Sequence, residues 1–121
     1  SGNYTQLPDV IAADTVITAG SNLIIMNGGQ PFVLGVGKQG VAAGYSLVSG
    51  AIAKLAIVFY SAAYPTSRPL STTYLYDSGA SASAGGAGVI PIAYSSRYAL
   101  RLFNADAADI TVKVLTRAEV S

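Results

Sequence analysis

Chemistry near neutral pH usually starts from a histidine or a cysteine, and this chain has neither. Without imidazole or thiolate, the common general base, the usual zinc ligand sets and haem ligation by His are all missing. Gly35-Val36-Gly37-Lys38-Gln39-Gly40 matches the G-x-G-x-x-G pattern and follows an apolar run, as a phosphate-cradling turn would. Such a turn must open a helix, yet Gly44 interrupts the residues that follow, and no acid able to hold a ribose occurs before Asp77. Lys38 is followed by Gln39 and not by the Ser or Thr of a phosphate loop. A glycine-rich β-turn is the better reading. Asp9, Asp14, Asp77, Asp106, Asp109 and Glu119 could supply the carboxylate pair of a glycoside hydrolase, but nothing in their spacing brings two together. Asp106 and Asp109 flank an expected turn, where short carboxylates commonly accept backbone hydrogen bonds. The serines have no His partner to activate them. No catalytic, cofactor-binding or metal-binding residue is assigned, and the chain is expected not to be an enzyme.

Tyrosine is the one chemically versatile residue present in number, eight copies with no Trp. A Tyr ring can stack on a sugar while its hydroxyl bonds to the ligand. Tyr74 and Tyr76 are expected to share one strand face, and Tyr94 and Tyr98 to bracket a turn. These four are the candidate ligand or interface residues. Tyr is equally an ordinary strand and interface residue.

Composition points toward self-association. Charged residues are 11% of the chain, against roughly 25% in an average soluble domain. A small domain exposes much of its surface, and these few charges leave that surface poorly solvated. The net charge of +1 opposes association weakly and offers no field for nucleic acid or anionic lipid. A homo-oligomer is therefore expected, with no nucleic acid and no membrane partner. The polar start Ser-Gly-Asn-Tyr-Thr-Gln-Leu-Pro-Asp does not read as a signal peptide. Leu47 to Tyr64 is the nearest approach to a membrane span, but Lys54 and Gly50 favour a buried strand.

Short runs rich in Val, Ile, Tyr and Thr recur between Gly, Asn, Ser and Pro, as in all-β folds. The fold expected is a single compact antiparallel β-sandwich or barrel of about 8–9 short strands. They fall near Thr15–Thr18, Leu23–Met26, Phe32–Val36, Tyr45–Val48, Ile52–Tyr60, Thr72–Tyr76, Val89–Tyr94, Arg97–Asn104 and Ile110–Thr116. Asn27-Gly28-Gly29 supplies the positive φ angles of a tight hairpin turn. Tyr98, Leu100 and Leu102 alternate with Ala99, Arg101 and Phe103, and Ile110, Val112 and Val114 with Thr111, Lys113 and Leu115. That pattern predicts an antiparallel pair with one face on the core. The unbroken apolar end of Ile52–Tyr60 predicts a strand covered on both faces. Asp77 to Gly88, nearly all Ser, Ala and Gly, reads as a flexible loop, or as a tight fit against another subunit. Residues 1–13 read as an N-terminal arm on a domain spanning 14–121. Within the arm, Tyr4, Leu7, Val10 and Ile11 are the candidate partner-binding residues, since an extended arm can add to a neighbour's sheet.

Phe32 to Ile57, FVLGVGKQGVAAGYSLVSGAIAKLAI, has a distinct cadence: a Gly-Val strand, a Val-Ala-Ala-Gly step, a short strand, then Ser-Gly before another apolar strand. It resembles the small head-decoration (cement) proteins of tailed bacteriophages. The resemblance implies a virion structural protein, often a trimer, that binds the major capsid protein and stabilises the head by bridging neighbouring subunits. The alternative, from the tyrosines, is a sugar- or receptor-binding β-sandwich module.

Overall fold

The structure, a computed structural model, describes residues 3–52, 54–60, 69–77, 81–89 and 97–121. Ten strands lie among them: β1 (Tyr4–Ile11), β2 (Thr15–Ile17), β3 (Asn22–Ile25), β4 (Phe32–Val33), β5 (Gly40–Ser49), β6 (Lys54–Tyr60), β7 (Pro69–Tyr76), β8 (Ser83–Val89), β9 (Arg97–Phe103) and β10 (Ile110–Val120). They form two antiparallel five-stranded sheets, so the fold is an all-β sandwich and not a barrel. One sheet runs β1-β10-β5-β8, and the other β3-β9-β6-β7. β2 continues β1 along the same edge of β10, and β4 continues β3 along β9. Each sheet is thus four strands wide. The chain changes sheet after β2, β4, β5, β7, β8 and β9, which is the winding of a jelly roll.

The core lies between the sheets and follows the alternation of the sequence. Tyr98, Leu100 and Leu102 of β9 face Ile110, Val112 and Leu115 of β10 in one buried cluster with Leu55, Ile57 and Phe59 of β6. β6 is buried on both faces, as its unbroken apolar run predicts. Its outward Val58 and Tyr60 join Ala99 in a second cluster, with Met26 against it.

Several expectations are corrected. β9 and β10 are not an antiparallel pair but belong to opposite sheets. Their connection crosses the sandwich around Asn104, fully buried, whose amide donates to the carbonyls of Ile17, Thr18 and Ala108. Alternation identifies the buried face; it does not name the neighbouring strand. The phase in β10 also changes, because its register against β5 shifts between Val112 and Val114 and turns Leu115 inward in place of Val114. Gly28 and Gly29 do form a tight turn at φ of 60° and 86°, closed by hydrogen bonds exchanged between Asn27 and Gln30. That turn does not pair β3 with β4. It projects from an edge that both strands share on β9.

The expected loop at 77–88 holds β8, paired with β5 over seven residues without a register shift. Of the expected strand Val89–Tyr94, only Val89, the end of β8, lies among the described residues. Composition misleads here because the small residues answer a packing demand. A Cβ on Gly86 would stand 2.5 Å from the Leu75 carbonyl oxygen of β7, and one on Gly88 would stand 3.1 Å from the side chains of Leu75 and Thr73. The two sheets meet here with backbone almost against backbone. Gly86→Ala is expected to lower stability in urea unfolding by about 1–3 kcal/mol, the usual cost of forcing extra volume into a packed site.

Candidate assembly interface

The residues 4–11 expected as an arm form β1, an edge strand on the chain's own β10. Tyr4, 61% exposed, stands opposite Val120, and Leu7, half-buried, opposite Arg117. Val10 packs against the core, and Ile11 is a core residue at 7% exposure, so with β1 docked Ile11 is not presented to a partner. Side chains add to the ladder: Gln6 Nε2 donates to the Arg117 carbonyl at 3.1 Å and Lys38 Nζ to Thr5 Oγ1 at 2.6 Å.

The tyrosine candidates separate. Tyr74 and Tyr76 do not share a face, because the register against β6 shifts between the residues opposite Leu55 and Ala56. Tyr74 is exposed on the outer face, with Lys54 Nζ 5.0 Å above its ring. Tyr76 turns toward the core, edge-on to Tyr45 at 6.5 Å. Burial, with the neighbouring Tyr76, pushes the Tyr45 phenol up to about 12, and its hydroxyl lies 3.1 Å from the Ser81 carbonyl oxygen. Tyr94 lies outside the described residues.

Tyr98 is corrected outright from surface candidate to core residue, fully buried. Its hydroxyl donates to Glu119 Oε2 at 2.7 Å and accepts from Arg117 Nη1 at 2.9 Å. Arg117 lies 3.8 Å from the same carboxylate oxygen and stacks 4.0 Å over the ring of Phe32, which itself packs on Tyr98. Glu119, 5% exposed, also accepts from the Gly35 N–H at 3.0 Å. The glycine-rich motif is therefore a turn, with Lys38 N bonded to the Gly35 carbonyl, and its first amide is spent on a buried carboxylate. This cluster ties β9 and β4 of one sheet to β10 of the other, with Tyr98 and Glu119 buried.

The accessible chemistry is on the sheet edges. A free edge strand offers unpaired N–H and C=O groups to any other strand unless it is bulged, charged or broken by Pro. β1 carries Pro8, Asp9 and a register shift between Leu7 and Ile11. The β3/β4 edge is interrupted by the Asn27–Gln30 turn, and β7 begins at Pro69 and has two register shifts. β8 has none of these devices. Among the described residues its one ladder partner is β5, and no charged residue occurs from 78 to 96.

The groups β8 presents follow from its register. The Ala82 carbonyl accepts from Leu47 of β5, so residues 84, 86 and 88 also turn toward β5, while 83, 85, 87 and 89 turn away. Ser81 closes one end: it exchanges bonds with Ile52, and its hydroxyl engages both N–H and C=O of Ser83. Among the described residues, the main-chain groups of Gly85, Ala87 and Val89 have no ladder partner on that side. Beside them the outer sheet face is paved with small residues, Ala42, Gly44, Ala87, Thr116 and Ala118, leaving a shallow trough of about 410 Å³ bounded by Tyr4 and Gln6. Sequence reasoning offers a tight fit against another subunit as one reading of 77–88 but does not single out these residues, because Ala and Gly carry no alternation. The available signal was the long stretch without charge.

No family model and no curated protein matches the chain. A solved structure described as "Bacillus endospore appendages form a novel family of disulfide-linked pili" aligns over 100% of this chain and 92% of that one, at 17% identity and a TM-score of 0.33. A likeness at that level bears on neither mechanism nor partner.

The buried cluster has a measurable consequence. Burial first, and then the bond to Glu119, push the Tyr98 phenol well above its ordinary 10.0, against the opposing pull of Arg117. The native state thus keeps a proton that the unfolded chain releases near pH 10.0, so this stabilisation is full below that pH and is lost as pH rises above it. Tyr98→Phe is expected to cost about 1–3 kcal/mol at neutral pH, because it leaves the buried Glu119 and Arg117 short of a partner. Urea unfolding on either side of pH 10.0 is expected to show a steeper alkaline loss in the wild type than in this variant.

Proposed function

We propose that this chain is a structural subunit that assembles in many copies by adding a neighbour's strand to the open edge of β8. The observation that carries the reading is the unbroken, uncharged edge at Gly85, Ala87 and Val89. Each added strand would satisfy main-chain donors and acceptors that water otherwise solvates, and the small-residue face alongside lets a second backbone approach closely. The 11% charge content supports the same reading, since it leaves a surface better covered by neighbours than exposed. For the setting we propose a phage head, with the major capsid protein as the further partner, on the resemblance carried by residues 32–57. The jelly-roll winding recurs in viral capsid proteins, a fold-level analogy that supports this setting.

Ala87→Pro tests the reading. It deletes a donor that points away from β5, and Pro is tolerated where an edge N–H faces outward, so the intramolecular ladder stays whole. In sedimentation velocity the wild type is expected to grow beyond monomer mass with concentration, while the variant stays monomeric with its thermal midpoint nearly unchanged. A wild type that remains monomeric throughout, or a variant that assembles equally well, overturns the proposal.

A further inference from the structure

The outer face of the other sheet carries a different kind of surface. Asn22, Phe103 and Lys54 lie side by side on β3, β9 and β6, and in the next row on that face Ile24, Arg101, Ala56 and Tyr74 lie across β3, β9, β6 and β7. Ala56, 1% exposed, is the small residue of that row, and Arg101 and Tyr74 stand on either side of it, two strand spacings or about 10 Å apart at the backbone. A cleft of about 210 Å³ on this face is lined by Asn22, Lys54, Tyr74, Arg101 and Phe103.

Among the described residues the lining holds two cations and no carboxylate. Asp77 lies 3.6 Å from Lys54 and partly offsets that charge. Arg101 has no ion pair among the described residues. A guanidinium fork fits a carboxylate through two parallel hydrogen bonds. Tyr74, 44% exposed, offers a hydroxyl at its rim and a ring shared with the Lys54 ammonium 5.0 Å above it, and the Asn22 amide can both donate and accept. One anionic group, one flat C–H face and several hydroxyls are what this lining complements.

We propose that the cleft binds a carboxylated sugar, a uronic-acid unit, with its carboxylate on Arg101 and its ring against Tyr74. The site is on the sheet opposite the β8 edge, so it is independent of the assembly proposal and either can fail alone.

The test is an NMR titration of the full-length chain with D-glucuronate, with D-glucose and acetate as parallel arms. Saturable shifts at Tyr74 and Phe103 are expected with glucuronate and with neither control. Arg101→Gln is expected to weaken binding about tenfold, the loss of a charge-assisted hydrogen bond. Tyr74→Ala, an exposed position whose truncation leaves the core intact, is expected to abolish the ring shifts and the discrimination against acetate. Absence of saturable shifts with glucuronate, an equal response to acetate, or unchanged binding by both variants overturns the proposal.

Discussion

The carbonyl oxygen of Leu75 occupies the place where a side chain on residue 86 would begin. Much of the molecule follows from that contact. With β7 pressed this closely over β8, the strand must be built from residues with little or no side chain, and the same need for space recurs at Gly88. At these inward positions the strand has no room for the long charged side chains by which edges are often protected, and its outward positions 83, 85 and 87 are Ser, Gly and Ala.

Elsewhere the sheets are held apart by bulk and joined by polarity. Tyr98 reaches across the core from β9 to meet Glu119 and Arg117 of β10, and the same carboxylate fixes the turn that leads into β5 through the Gly35 amide. A buried ion pair adds little net stability once desolvation is counted. Its value lies in geometry: the Glu119 carboxylate and the Tyr98 hydroxyl find their partners only when β10, β9 and the 35–40 turn are in one register, while Arg117 Nε finds none among the described residues. The C-terminal half of β10 thereby becomes the platform on which β1 is laid.

How far the sequence revealed this differs by element. Alternation in 98–103 identified the buried face of β9, and the unbroken run ending at Tyr60 identified a strand covered on both sides. Neither pattern says which strand lies alongside, so β9 and β10 read as a pair although the Asn104 crossing separates them. Bulges are the second limit. One register shift in β7 sends Tyr74 outward and Tyr76 inward, and no residue type in Tyr-Leu-Tyr announces it. The third is the Ser-Ala-Gly segment, where the absence of large side chains records a neighbour too close to admit them. In the sequence Tyr98 is in phase with Leu100 and Leu102 as well as a ligand or interface candidate, and the structure resolves the two: a phenol with a buried carboxylate and guanidinium to bond is at home in a core.

The turn at Asn27–Gln30 leaves its tip free of both sheets' ladders. It hangs from the edge of β9 between β3 and β4, Asn27 and Gln30 bond to each other, and Asn27, Gly28, Gly29 and Gln30 are all exposed. Its tip can be lengthened without disturbing either ladder. In an array built from many copies, such a turn would repeat at every subunit, which makes it a natural point for inserting a short peptide to be displayed at regular spacing.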